Sequence, residues 1–222
     1  MGADDIGRDK TMKTGVSAMV IQELKPSRHV EGRWLAVLED GSILRVGEGE
    51  VVGFALYAGK ELSEEEAERL QDAARRSGLK AKAIELLMRK PQSRRELGRK
   101  LREWEAGEEE IEAICDRMEE LGYLNEPEYA GRIVRHYARK GFGERKIRDE
   151  LYRRGVPREL WDEALSQIED NGPAIDAFLE KKLKGSHDPK DVKRASDALA
   201  RRGYRWPEIS DALRRYGMEV YD

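Results

Sequence analysis

Histidine and cysteine side chains are the first candidates for chemistry in this sequence of 222 residues, because they bind metals and act as nucleophiles. The three histidines, His29, His136 and His187, are isolated, and no pair has the spacing of a metal site. Cys115 follows Ile114 on an apolar helical stripe, which predicts a buried and unreactive thiol. We therefore expect no metal, no cofactor and no catalytic activity.

Two glycine-rich segments resemble phosphate-binding loops only superficially. Residues 47–50, Gly-Glu-Gly-Glu, contain no lysine and two carboxylates that would repel phosphate, so we predict a turn. Residues 141–143, Gly-Phe-Gly, are better explained as the end of one helix and the start of the next. The tryptophans are predicted to be packing residues; they are Trp34, Trp104, Trp161 and Trp206.

Positive charge is the strongest chemical signal in the sequence. Residues 132–158 carry ten Lys and Arg against three acidic residues, with aromatic residues interleaved. Such a surface can bind DNA phosphates or an acidic protein, although a solvated helix face with i,i+4 ion pairs has the same composition. The predicted binding residues are Arg132, Arg135, Arg139, Lys140, Arg145, Lys146, Arg148, Arg153 and Arg154.

The elements that position these residues begin after a small strand-rich module. Two apolar runs, 34–38 and 42–46, flank Glu-Asp-Gly, which predicts a hairpin with a type I′ turn, and residues 16–24 predict a third strand. Ser63 and Glu66 have the spacing of a capping box, so a helix is expected to start there and to end at Gly78.

The rest of the sequence is helical and repetitive. Segments that start at Ser93, Gly143 and Asp191 each carry apolar residues four and eight positions later, which is the stripe of one helix face. Each segment leads to another helix and is preceded by one, at 81–89, 126–139 and 174–183. Short three-helix units bury their apolar ends by stacking. We therefore predict a mainly α protein, an elongated array of three tandem three-helix repeats.

This pattern divides the chain into five predicted parts. They are a disordered segment 1–14, an α+β module 15–78 and three helical repeats, 79–124, 125–171 and 172–222. Basic residues recur in the outer repeats as a secondary stripe of Arg94, Arg95, Arg99, Lys100, Lys193, Arg194, Arg201 and Arg202. Residues 103–120, by contrast, hold nine carboxylates and a single basic residue, Arg117. A surface of both signs suits a partner that offers DNA and protein, and it equally suits solubility.

Three stretches of the chain match one known family in order and spacing. Residues 121–130, Leu-Gly-Tyr-Leu-Asn-Glu-Pro-Glu-Tyr-Ala, resemble the joint between the first two repeats of RecX proteins. Residues 139–156 resemble the family signature Lys-Gly-x-Gly-x-x-x-Ile-x-x-Glu-Leu-x-x-Arg-Gly-Val, with a shortened spacing before the lysine. Residues 83–101 resemble the family's opening motif, so the resemblance covers about residues 80–216.

The resemblance implies a curved, non-catalytic regulator that lies in the groove of the RecA filament on single-stranded DNA. It implies RecA as the partner, with single-stranded DNA as a second partner through the basic stripe, and mostly inhibition of recombinase, ATPase and co-protease activities. The strand-rich start resembles an extra module of longer family members. Without a heptad seam, we expect a monomer.

Composition bounds the remaining alternatives. Hydrophobic and charged residues each make up 39% of the chain, the net charge is −3, and the single cysteine excludes an internal disulfide framework. No apolar run is long enough to cross a bilayer, so we expect a cytoplasmic protein without a membrane partner. A stand-alone DNA-binding protein and a helical scaffold for another acidic protein stay open, although the middle helices lack an evident run of Asn, Gln or Ser that would read bases.

Overall fold

The computed structural model describes residues 19–168 and 171–218, so the predicted disordered segment 1–14 lies outside the described residues. Within these two ranges the chain forms four β-strands and ten α-helices. It divides between Ala81 and Lys82 into two compact units. None of the helices in the described ranges is both long and apolar enough to cross a membrane.

The first unit is an antiparallel sheet with two helices. Its elements are β1 (Met19–Pro26), β2 (Arg33–Leu38), β3 (Ile43–Gly47), α1 (Glu48–Gly53), β4 (Glu61–Leu62) and the first part of α2 (Glu64–Arg89). The strand order is β3-β2-β1-β4. Apolar side chains of the sheet, such as Ile21 and Val46, share one buried cluster with Leu70 and Ala74 of α2. Residues 16–18, the first three of the predicted strand 16–24, lie outside the described residues.

The predicted hairpin forms, but its turn differs from the expected type. The N–H of Leu38 donates to the carbonyl of Ser42 (2.8 Å) and the N–H of Gly41 donates to that of Leu38 (2.9 Å). Only Gly41 has a positive φ, of 82°, whereas a type I′ turn needs two such residues. Asp40 instead accepts the N–H of Ser42 (2.8 Å), which favours a three-residue loop.

Three local predictions in this unit are resolved by the helices. The turn predicted at residues 47–50 is wrong, because α1 starts at Glu48 and the Glu50 carboxylate accepts the N–H of Gly47 (2.7 Å). The capping box is confirmed, since the N–H of Glu66 donates to the Ser63 hydroxyl (3.2 Å) and the reciprocal bond forms. The helix end predicted at Gly78 is wrong, because helix-forming residues on both sides carry α2 through it.

The second unit confirms the predicted series of three-helix repeats. After the end of α2 the helices are α3 (Arg94–Glu103), α4 (Glu108–Glu120), α5 (Glu126–Arg139), α6 (Glu144–Arg154), α7 (Trp161–Leu165), α8 (Gly172–Leu183), α9 (Pro189–Arg201) and α10 (Trp206–Arg215). A 3-10 turn, Arg158–Leu160, leads into α7. α9 starts at Pro189, as its Asp188-Pro189 start signal predicts, and the Asp188 carboxylate caps it by accepting the N–H of Lys190 (2.7 Å).

Each of the later repeats has its own apolar core. In the second repeat Ile133, Ile147 and Leu151 are buried together, and in the third Leu179 and Leu199 are fully buried. Tryptophans contribute only at the edges of these cores. The packing role predicted for Trp206 is wrong, because this residue opens α10 over a surface groove and is 49% exposed.

Candidate interaction surface

The middle helix of each repeat, α3, α6 or α9, is built on the same frame. Its buried apolar pair is Leu97 and Leu101, Ile147 and Leu151, or Ala195 and Leu199. Four residues after the second member of each pair, the chain turns into the left-handed region at Glu105, Gly155 or Gly203, with φ of 64°, 72° and 94°. The three helices therefore present equivalent positions, which can be compared one by one.

The start of α6 packs directly on the end of α9, a contact that we call the second joint. The N–H of Gly143 donates to the carbonyl of Arg202 (2.9 Å), and the N–H of Arg145 donates to that of Gly203 (3.1 Å). First-turn amides have no partner in their own helix, so α9 supplies the missing acceptors. The positive end of the α6 dipole also meets the negative end of α9. A Cβ at Gly143 would lie 2.5 Å from the backbone of Gly203, and a Cβ at Gly203 would lie 2.7 Å from that of Lys146, so both glycines are needed.

The start of α3 packs on the end of α6 in the same way, at what we call the first joint. The Ser93 hydroxyl, which caps α3, donates to the carbonyl of Arg154 (2.5 Å). The backbone N–H of Arg94 donates to the carboxylate of Glu126 on α5 (2.9 Å). A Cβ at Gly155 would lie 2.8 Å from the Cβ of Arg95, so glycine is again needed at the end of the helix. The two joints share a geometry but use different donors.

Side chains add a polar network to the first joint. The Tyr129 hydroxyl donates to Glu96 (2.7 Å) and accepts from the Arg154 guanidinium (2.9 Å). Arg154 also lies 3.6 Å from the buried carboxylate of Glu150. Burial, together with the hydrogen bond to Glu96, raises the pKa of Tyr129 to about 12. Burial opposes the charge of Arg154, but the hydrogen bond to Tyr129 and the nearby Glu96 raise its pKa.

The corresponding arginine of the second joint is held differently. Arg202 of the predicted secondary stripe donates to the carbonyl of Gly141 (3.3 Å). Its guanidinium lies 4.7 Å from the ring centroid of Phe178 and 5.9 Å from that of Phe142. Arg154 and Arg202 therefore occupy equivalent positions inside the two joints, where they stabilise the contact between repeats.

Five of the nine predicted binding residues in the second repeat form ion pairs within the chain. The pairs are Arg132 with Glu128 (3.1 Å), Arg135 with Glu128 (3.1 Å), Arg148 with Glu144 (2.7 Å) and Asp162 (3.2 Å), Arg153 with Glu150 (2.7 Å), and Arg154 with Glu150. Their charges are already partly neutralised, as expected for a solvated helix face with local pairs.

The other four predicted residues are Arg139, Lys140, Arg145 and Lys146. Among the residues that the structure describes, none of the four has a carboxylate within ion-pair distance. Lys140 lies 6.0 Å from the ring centroid of Tyr137, at the end of α5. The structure thus brings an unneutralised positive charge to the start of α6 and to the turn before it.

The secondary stripe divides in the same manner. Lys100 pairs with Glu103 (2.6 Å) and Arg194 with Asp191 (3.6 Å). In the described part of the chain, Arg95, Arg99, Lys193 and Arg201 are exposed and have no ion pair. Arg95, Arg145 and Lys193 stand at the same position of α3, α6 and α9, two residues after Ser93, Gly143 and Asp191. We call these three residues the basic row.

The acidic segment 103–120 has a partner inside its own repeat. Three carboxylates of α4 converge on the Arg94 guanidinium: Glu112, Asp116 at 2.7 Å and Glu119 at 2.9 Å. Burial works against the charge of Arg94, but these hydrogen bonds raise its pKa. Arg94 is therefore committed to holding α3 on α4, although its sequence context predicted a binding role.

Sequence reasoning missed the joints, although the signal was present. Gly155 and Gly203 each follow a core leucine, Leu151 or Leu199, by four residues, and Gly143 matches Ser93 as the small residue that starts a middle helix. Each of these glycines can be explained locally, as the end or the start of a helix. The recurrence of small residues at both ends of the repeated helix indicated instead that two backbones approach each other there.

The residues considered for catalysis do not come together. Cys115 is 1% exposed, and burial raises the pKa of its thiol to about 11, so the thiol stays protonated. In the described ranges no group of three or more His, Cys, Asp and Glu side chains could hold a metal ion.

Comparison with known proteins connects this architecture to one family. Residues 80–118 match the model of the first three-helix domain of RecX, and residues 125–165 match the model of the second. These two segments contain the first joint and the basic start of α6.

Full-length relatives and solved structures give the same result. The chain is 34% identical to a regulatory protein RecX of Pseudomonas entomophila over 63% of this chain and 91% of the relative. It is 37% identical to that of Pseudomonas fluorescens over 62% and 90%. A crystal structure of regulatory protein RecX covers 87% of this chain at a TM-score of 0.68, and one of RecX from Lactobacillus salivarius covers 64% at 0.61, which supports the fold. The chain therefore belongs to the RecX family.

Proposed function

We propose that this protein is a non-catalytic, cytoplasmic regulator that binds the RecA filament on single-stranded DNA and mostly inhibits its ATPase, recombinase and co-protease activities. Membership of a family whose relatives are named regulatory protein RecX supports the regulatory role. The observation that carries the proposal is the basic row, because its equivalent positive charges recur in all three repeats without ion pairs in the described structure.

We select the binding residues among the predicted ones by whether an ion pair already neutralises their charge. A phosphate or an acidic protein surface binds most favourably to a cation that does not first have to break an ion pair with a carboxylate. We therefore assign binding to Arg139, Lys140, Arg145 and Lys146 of the second repeat, with Arg95, Arg99, Lys193 and Arg201 of the outer repeats. Arg132, Arg135, Arg148, Arg153 and Arg154 act in the fold through their ion pairs.

A partner that contains both nucleic acid and protein matches this surface best. Cations at three equivalent positions suit a long polyanionic partner better than a compact one. The phosphates of a single strand held by RecA supply such a partner, and RecA surface supplies further contacts. The chain would act as a monomer that blocks filament extension by occupying this surface.

The test is a titration of the RecA ATPase on single-stranded DNA with the purified chain. We expect inhibition at stoichiometric concentrations, and we expect the double variant R145E/K146E to need at least tenfold more protein, because it replaces two unpaired cations with anions. The matched control is K181E/K182E, which makes the same charge change on exposed lysines of α8, outside the basic row.

Three outcomes would contradict the proposal or a part of it. An unchanged ATPase rate at a large excess of the chain would remove RecA as the target. Tight, sequence-specific binding of duplex DNA without RecA would favour the stand-alone DNA-binding alternative. Equal loss of inhibition in both double variants would show that only net charge matters, and would remove the assignment to α6.

A further inference from the structure

An exposed tyrosine on α6 stands on the same helix face as the basic row. Tyr152 is 61% exposed. It follows Arg145 by seven residues, so the two side chains lie about 20° apart around the helix and about 10 Å apart along it. The face of α6 that carries an unpaired arginine therefore also carries an open aromatic ring.

The first joint brings a second cation to the end of the same helix. Gly155 comes three residues after Tyr152, and the aliphatic stem of Arg95 crosses it, with the Arg95 Cγ 2.9 Å from where a Cβ of Gly155 would be. Tyr152 thus stands on α6 between Arg145, seven residues before it, and Gly155, which the stem of Arg95 crosses. Asp149 and Glu150 are the acidic residues on this stretch, and the buried Glu150 is paired with Arg153 and Arg154.

The ring has no partner within the described structure. Among residues 19–168 and 171–218, no aromatic ring packs on Tyr152, no cation lies over it, and its hydroxyl makes no hydrogen bond. Tyr137 and Phe142, the other aromatic residues of the basic segment, pack on each other with centroids 5.6 Å apart. An exposed tyrosine in such a position forgoes the burial that usually stabilises an aromatic side chain.

We propose that Tyr152 is a stacking platform for an unpaired base of single-stranded nucleic acid, with Arg145 and Arg95 holding the phosphates on either side. Alternating cations and an open ring are what a single strand recognises, since every base offers a flat face for stacking. A duplex keeps its bases stacked internally and would use only the cations, and an acidic peptide would gain little from the ring. The inference rests on the proposed function and names the nucleic-acid part of that surface.

The experiment compares an oligothymidylate with a strand of equal length that lacks bases, by fluorescence anisotropy of the full chain at several salt concentrations. We expect Tyr152→Ala to weaken oligothymidylate binding roughly tenfold, with an unchanged salt slope. On the strand without bases the variant and the parent should bind equally. Tyr152→Phe should keep the affinity, because stacking needs the ring and not the hydroxyl.

Two further variants separate stacking from charge and from folding. R145E/K146E should weaken binding to both strands and reduce the salt slope. Tyr123→Ala removes a tyrosine that is 41% exposed beside the acidic helix α4, and its binding should equal that of the parent. Unchanged circular dichroism melting of Tyr152→Ala would exclude misfolding.

The proposal is overturned if Tyr152→Ala weakens both strands equally, weakens neither, or if the parent prefers a duplex, an acidic peptide or no nucleic acid. These results are distinct from failure of the proposed function. A chain that binds no free strand but inhibits the RecA ATPase would refute the stacking platform alone, whereas a chain that stacks bases without affecting RecA would refute the proposed function alone.

Discussion

The two joints of the repeat array solve the same packing problem with different chemistry. At the second joint the contact is backbone on backbone: a Cβ at Gly143 would meet the backbone of Gly203, and a Cβ at Gly203 would meet Lys146, so neither can carry a side chain. At the first joint a serine hydroxyl replaces one backbone donor, and Gly155 faces the stem of Arg95 and not a backbone. A network of Tyr129, Glu96 and Arg154 surrounds that contact.

The comparison indicates that Gly155 and Gly203 are required by the contact between repeats, and less by the left-handed turn in which they stand. Glu105 stands at the equivalent position of α3 and has a left-handed φ of 64°, yet it carries an exposed side chain. In the described structure no middle helix packs its start against Glu105. A positive φ is therefore tolerated without glycine where nothing packs, and glycine stands where another helix approaches. The second joint should be the less tolerant of the two.

The largest effect is expected from Gly203→Ala. The added methyl would lie 2.7 Å from the Lys146 Cβ, and the φ of 94° strains any side chain, so we expect a loss of about 3 kcal/mol in the free energy of unfolding. Urea denaturation followed by circular dichroism measures it. Glu105→Gly is the matched control at the equivalent position and should change stability by less than about 1 kcal/mol. Equal effects of the two would show that the turn, and not the joint, sets the glycine requirement.

A smaller effect is expected from Gly155→Ala, because its neighbour is a side chain that can move. We expect a loss of about 2 kcal/mol, and in the background of Arg95→Ala the loss should shrink by about 0.5 kcal/mol or more. In the same kind of double-variant cycle, the loss of stability from Gly143→Ala should not shrink when a neighbouring side chain is truncated, because the added methyl group meets the backbone of Gly203. Strict additivity at the first joint would contradict this distinction.

The smallest effect concerns the polar network of Tyr129, Glu96 and Arg154 at the first joint. Tyr129→Phe removes the hydroxyl between Glu96 and Arg154, and should cost about 1–2 kcal/mol near neutral pH. Because burial raises the pKa of Tyr129 to about 12, above the ordinary tyrosine value of about 10, the unfolded chain ionises first. The advantage of the parent over the variant should therefore be constant below pH 10 and should fall as the pH rises toward 12. If the stability difference between the parent chain and Tyr129→Phe did not change with pH, the network would not stabilise the first joint.

Periodicity and capping predicted most of the fold. The limits of α5 and the capped starts of α2, α3 and α9 follow from side chains that act within a few residues, such as Ser63 and Asn125. The continuous α2 was missed because a single glycine, Gly78, costs less than the surrounding helix gains. Short α1 was missed because Gly47 to Glu50 carries a turn composition.

The candidate surface was predictable only as a composition. The sequence located the positive charge, but it could not separate Arg145, which has no ion pair in the described structure, from Arg148, which has two. Both residues have a carboxylate four positions away, Asp149 or Glu144, but in the described structure only Arg148 pairs with it, and Arg148 gains a second pair with Asp162 of α7. The joints depend on contacts between residues about 60 positions apart, such as Gly143 with Arg202, and local patterns carry no information on such distances.

Amide hydrogen exchange at Arg145 tests the central claim most directly, namely that the middle helices join end to end and carry the basic row. A second residue of a free helix has no acceptor for its N–H and exchanges rapidly. Because the Arg145 N–H donates to the carbonyl of Gly203, we predict that it exchanges as slowly as the core amides of α6, such as Leu151, and that Gly203→Ala abolishes this protection. Rapid exchange at Arg145 in the parent chain would contradict the account.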